Sequence, residues 1–95
     1  MTLDEFKGTL TERTPPDVPR LLQALWHDAK GDWTKAHEIA QEVEDASGAL
    51  VHAYLHRKEG DAGNAAYWYR RAEQPAANDS LDAEWNRIAS DLLGQ

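Results

Sequence analysis

An internal repeat limits the possible folds of this chain more than any other pattern in its sequence. Residues 24–36 align without gaps over residues 53–65, an offset of 29 positions. Five letters coincide, in the pairs Ala24/Ala53, His27/His56, Gly31/Gly60, Asp32/Asp61 and Ala36/Ala65. Repetition at a fixed spacing indicates that one supersecondary unit is used twice.

Each repeated letter has a role in a helix–turn–helix unit. Gly31 and Gly60 suit a helix end in the left-handed conformation, which glycine adopts without the penalty of a Cβ atom. Asp32 and Asp61 follow directly, where a carboxylate accepts the free N–H groups of the next helix. The repeated alanines on either side let two antiparallel helices approach closely. The repeat therefore predicts two antiparallel helical hairpins.

Hydrophobic periodicity and capping signals extend the helical prediction to the whole chain. We expect one all-α domain over residues 1–95, divided into an N-terminal segment, 1–17, hairpins at 18–45 and 48–74, and a C-terminal capping helix within 79–95. The predicted helices span 3–11, 18–30, 33–45, 48–59, 62–74 and 80–93. The last of these carries an apolar stripe that would cover the exposed side of the second hairpin.

The small residues of the repeat resemble a known family. The order and spacing of Ala24, Gly31, Asp32 and Ala36 are similar to those of the tetratricopeptide repeat (TPR), and the resemblance covers roughly residues 18–74. The offset of 29 is shorter than the usual repeat of about 34 residues.

Histidine also stands at positions 27 and 56, where the TPR family usually carries tyrosine. The strings at 24–33, 52–61 and 67–72 are in addition similar to a group of small bacterial proteins of unassigned function. The TPR resemblance implies a TPR-like fold and, by fold-level analogy, a protein-binding or scaffolding module.

Composition excludes several classes of function. Seventeen acidic against ten basic residues give a net charge of −7, the wrong sign for a nucleic-acid partner. The absence of cysteine excludes disulfides, thiol nucleophiles and cysteine-ligated zinc. No apolar run approaches the ~20 residues of a membrane span, and the first ten residues lack the pattern of a secretory signal. We therefore expect a cytoplasmic protein without a membrane partner.

The chain carries no recognisable catalytic motif. None of its serines stands in the G-x-S-x-G pattern of a nucleophile elbow. The glycines at 60 and 63 lack the lysine and the preceding strand of a phosphate-binding loop. This inventory leaves the question of an enzyme open and favours a non-enzymatic binding protein.

In stacked hairpins, residues 29 positions apart become neighbours on parallel helices. We expect the partner-binding surface on the inner side of the stack, at Leu25, Asp28, Tyr54 and Arg57, with a protein, a peptide or a second copy of the chain as partner. Three oppositely charged pairs align across the repeat. We expect them to set the register of the two hairpins and to contribute about 0–1 kcal/mol each to the free energy of unfolding. These pairs are Asp28/Arg57, Lys30/Glu59 and Glu42/Arg71.

The histidines suggest an alternative function. His52 and His56 are four positions apart and share one helix face. His27 is the repeat equivalent of His56, and His37 lies on the helix that returns beside both. Grouped imidazoles are ligands for zinc, which predicts a small metal- or ligand-binding protein that uses all four histidines.

A carboxylate could complete such a site, and Glu38 and Glu59 are the candidates. The competing interpretation makes the histidines semi-buried core residues that hydrogen-bond across the stack and need no cofactor. The sequence leaves both interpretations open.

Overall fold

The computed structural model describes residues 1–94, and this part of the chain contains helices and no strand. The helices are α1 (Leu3–Gly8), which runs into a 3₁₀ turn (Thr9–Thr11), α2 (Arg20–Ala29), α3 (Trp33–Glu42), α4 (Ala46–Glu59), α5 (Ala62–Arg71) and α6 (Leu81–Leu92). Every predicted helix is present, and the all-α prediction is confirmed.

The boundaries between α3 and α4 differ from the prediction on both sides of the loop. Helix α3 was predicted to reach residue 45 but ends at Glu42, and α4 begins at Ala46 instead of residue 48. The reason is that Asp45 caps α4, where its carboxylate accepts the amide of Gly48 at 2.8 Å. A residue in this capping position has extended backbone and cannot also continue the preceding helix.

The two repeated turns have the same local geometry. Gly31 and Gly60 have φ angles of 88° and 89°, in the left-handed region that favours glycine. In both turns the amide of the following aspartate donates to the carbonyl oxygen five positions earlier, at 2.9 Å. Asp32 and Asp61 then cap α3 and α5 with their side chains, as the sequence predicted.

Consecutive helices pack against each other from α2 to α5, and α6 packs on α1, α2 and α4. The main core therefore lies beneath α6. Trp85 of α6 stacks on Phe6 with ring centroids 5.8 Å apart, and its indole N–H donates to the carbonyl of Leu25 at 3.0 Å. Helix α6 thus covers a face formed by both α2 and α4, whereas the sequence predicted that it would cover the exposed side of the second hairpin.

The predicted charge pairs are replaced by others. Asp28 accepts hydrogen bonds from Lys58 at 2.9 Å and from the Tyr54 hydroxyl at 2.8 Å, while Arg57 donates to Glu84 at 2.8 Å. Adjacent helix positions differ by about 100° in direction, so Lys58 faces α2 while Arg57 faces α6. The repeat alone does not specify how each helix is rotated about its axis.

The other two predicted pairs, Lys30/Glu59 and Glu42/Arg71, are also absent among residues 1–94. Their charges have nearer partners, on another element for Lys30 and Glu42 and on the same helix for Glu59 and Arg71. Lys30 donates to the carbonyls of Leu10 and Glu12, Glu59 contacts His56, Glu42 pairs with Arg20, and Arg71 lies over Trp68. None of the helices within residues 1–94 has the length and apolar character needed to span a membrane.

Candidate metal centre

Three imidazoles converge between α3 and α4. His37 on α3 and His52 and His56 on α4 each place a ring nitrogen within 4.8 Å of the other two. Their ring centroids are separated by 4.5 Å (His37–His52), 5.2 Å (His37–His56) and 4.8 Å (His52–His56). We call these three residues the histidine triad.

Local helical geometry and two tryptophans hold the triad in place. His52 and His56 lie one turn apart on α4, and α3 packs directly against this helix. Trp33 stacks on His37 with centroids 4.9 Å apart, and Trp68 of α5 stacks on His52 at 3.9 Å. Neither stacking contact is among the sequence-based expectations, although Trp33 lies only one helical turn before His37, a spacing that indicates contact.

The first two histidines are hydrogen-bonded to each other. The Nε2 atoms of His37 and His52 are 2.8 Å apart, so one ring donates an N–H and the other accepts with a lone pair. Burial, together with the neighbouring His37 and His56, lowers the pKa of His52 to about 4. Burial and His56 also lower the pKa of His37. Both imidazoles are therefore neutral at pH 7, which is the form that binds metals.

The third histidine is oriented by a carboxylate. His56 Nδ1 lies 2.8 Å from Glu59 Oε1, one helical turn further along α4. Because an ionised carboxylate only accepts, the Nδ1–H of His56 donates, and the lone pair is left on Nε2. Histidines that bind metals commonly donate their other ring N–H to a carboxylate in this way.

The fourth predicted member does not join the group. The structure brings together His37, His52 and His56 but leaves His27 outside, with no hydrogen bond or ring contact to the triad among the described residues. The His27 ring instead lies edge-on to Trp26 at 5.2 Å, near the charges of Asp32 and Lys35. Positions 27 and 56 are equivalent in the repeat but have different neighbours, because His56 lies on α4, which packs against both α3 and α5.

The two candidate oxygen ligands lie in different places relative to the triad. Glu59 reaches the triad only through its contact with His56, and Glu38 lies on the exposed side of α3. A second group of possible ligands, His56, Glu59 and Asp61, shares the same histidine. Asp61 is already engaged as the cap of α5, where its carboxylate accepts from the amide of Asn64.

The residues predicted to bind a partner lie elsewhere, beneath α6. Leu25, Asp28 and Tyr54 are all buried, and Arg57 is bonded to Glu84 of α6. Burial, together with the charge of Asp28, raises the pKa of Tyr54, which keeps its hydroxyl protonated as a donor to that carboxylate. The surface predicted to receive a partner is filled by a helix of the same chain.

Comparison with known proteins adds no identification. No family model, no curated protein and no solved structure matches this chain.

Proposed function

We propose that this protein binds a divalent transition metal ion, with zinc as the first candidate, through His37, His52 and His56. The observation that supports the proposal is the convergence of three imidazole nitrogens within 4.8 Å. Nitrogen ligands without thiolates suit zinc, copper and nickel and disfavour magnesium and calcium.

The spacing of the triad fits such an ion after a small adjustment. Zinc–nitrogen bonds of about 2.0–2.1 Å in tetrahedral geometry place two ligand nitrogens about 3.3 Å apart. The nitrogens of His37 and His52 are now 2.8 Å apart, at hydrogen-bond distance. Opening this pair by about half an ångström, with a matching shift of His56, would replace the shared hydrogen bond by two metal bonds, once the donor ring has moved its proton from Nε2 to Nδ1.

The competing interpretation is a polar cluster that needs no metal, in which the same contacts only link α3 to α4. Calorimetric titration of the chelator-treated protein with zinc separates the two. We expect saturation at one equivalent for the native chain, loss of binding in His37→Gln, and native behaviour in His27→Gln, a matched control outside the triad. Equal binding by His37→Gln and the native chain, or no binding by either, would contradict the proposal.

Copper offers a second readout, because Trp33 and Trp68 stack on two of the ligands. A Cu²⁺ ion at the triad should quench their fluorescence. The quenching should saturate at one equivalent and should be abolished by His37→Gln but not by His27→Gln.

We also propose that the two hairpins are TPR-like and that the protein is a cytoplasmic binding or scaffolding module. The support is the shared geometry of the two turns, with φ angles of 88° and 89° and an aspartate cap after each glycine.

Since α6 fills the α2/α4 face, a protein partner or second copy would use another surface. Tyr67 on α5, which is 43% exposed, marks the surface that we propose. Light scattering across a concentration series, comparing the native chain with Tyr67→Ser, tests self-association at that surface.

A further inference from the structure

We propose that a metal held by the triad keeps its fourth coordination position for a ligand from outside the chain, of the class of small anions. The inference rests on the proposed metal site and goes one step beyond it.

The first observation is that the nearest carboxylate is already occupied. Glu59 accepts from Nδ1 of His56 at 2.8 Å, and a metal on Nε2 would lie at the opposite edge of that ring. Asp61 is engaged in capping α5. Among residues 1–94, the triad forms a metal-binding group without any carboxylate. Glu59 is therefore a positioning residue, and three protein ligands with one open position is the arrangement of reactive zinc sites.

The second observation concerns charge. Three neutral imidazoles contribute no charge against that of a divalent ion, and His52 and His56 are buried, with 5% and 7% of their surface exposed. An uncompensated charge in such a place is unfavourable. A negatively charged fourth ligand would lower that penalty more than a neutral one.

The third observation is a route to the triad. A cleft of about 480 Å³ lies between the end of α3, the start of α4 and α5, and both His52 and Trp68 line it. Arg71 is the only cationic side chain among the described residues that line this cleft, and its guanidinium lies 5.3 Å from the Trp68 ring centroid. Glu44 and Asp45 also line the cleft, which disfavours a large or multiply charged anion.

Cobalt(II) in place of zinc makes the fourth position visible, because its d–d absorption changes when a bound water is exchanged for an anion. We expect a visible band that saturates at one equivalent of Co²⁺, and a saturable shift of that band with azide and with acetate. A Co²⁺ band that responds to neither anion would overturn this inference and leave the metal site standing. Absence of any Co²⁺ band would overturn both.

A pair of variants tests the role of Glu59. Glu59→Gln should weaken Co²⁺ binding by about 10-fold or more through the loss of ligand orientation, yet keep the azide response. Glu38→Gln, a matched exposed carboxylate on α3, should change neither. If azide shifts the band only in Glu59→Gln, then Glu59 is itself the fourth ligand and the inference is wrong.

A second pair tests the route. Arg71→Ala should weaken azide binding several-fold and leave Co²⁺ binding unchanged. Arg70→Ala, its exposed neighbour outside the cleft lining, is the control. Equal azide affinities in the two variants would show that anions do not reach the metal through this cleft and would overturn that part of the inference.

Discussion

The Nε2 atoms of His37 and His52 are 2.8 Å apart, although the residues lie 15 positions apart on different helices. Each ring is also stacked on its own tryptophan, at 4.9 Å for His37 and 3.9 Å for His52. This pair therefore directs two ring nitrogens, one with the shared proton and one with a lone pair, to one point between α3 and α4, in rings whose orientation is already set by packing. The free-energy cost of ordering these ligands would be small for a metal that replaces the shared hydrogen bond.

The stability of the metal-free protein should fall as the pH drops below about 6.5. The pKa of His52 is lowered to about 4 in the folded chain, from about 6.5 when unfolded, so folding favours its neutral form. This contribution is complete above pH 6.5 and is lost as the pH falls towards 4, by an amount of the order of 2 kcal/mol. Urea unfolding with chelator at pH 7 and pH 4.5 measures the change.

His52→Gln is the comparison for that experiment, because it keeps every other titrating group. The loss of stability between the two pH values should be smaller in this variant than in the native chain. An equal loss in both would assign the acid sensitivity to other residues.

Gly31→Ala should destabilise the protein by about 1 kcal/mol. A Cβ atom at this position would meet no neighbour within 4 Å, so the effect would come from the φ angle of 88° and not from a clash. Gly63→Ala is a matched control inside α5, where φ is not positive and the added Cβ also meets nothing. It should instead stabilise the chain by up to about 1 kcal/mol. Thermal melts of both variants check the opposite signs.

Glu84→Ala should destabilise the protein by about 3 kcal/mol. Glu84 is fully buried and accepts from Arg57 at 2.8 Å and from the hydroxyl of Tyr69 at 2.5 Å. Its removal leaves a buried hydroxyl and a partly buried cation without this acceptor. Asp91→Ala, an exposed carboxylate on the same helix, should change the free energy of unfolding by less than about 0.5 kcal/mol. Equal losses in the two variants would contradict a specific role for the buried network.

Deleting residues 79–95 should cause aggregation or self-association. The deletion removes Trp85 and Ile88 from the core and uncovers the α2/α4 face, including Leu25 and Tyr54. Sedimentation of the truncated chain is the measurement. A truncated chain that stays monomeric and folded would instead identify α6 as a detachable helix and the α2/α4 face as a free binding surface.

Much of the local structure follows from the repeat. Gly31, Asp32 and their equivalents at 60 and 61 determine where two helices end and the next begin, because a left-handed helix end and a carboxylate cap depend only on neighbouring residues. The spacing of His52 and His56 likewise predicts that they share one face of α4, and the structure agrees.

The helices, the two turns and this histidine pair could be predicted from the sequence, since each depends on contacts within a few positions of the chain. Long-range packing is what brings His37 and not His27 to the pair, and what places α6 over Leu25 and Arg57. These outcomes depend on how each helix is rotated about its own axis. Neighbouring positions on a helix differ in direction by about 100°. The rotation of the whole helix is set by packing across the core, and no residue of the repeat specifies it.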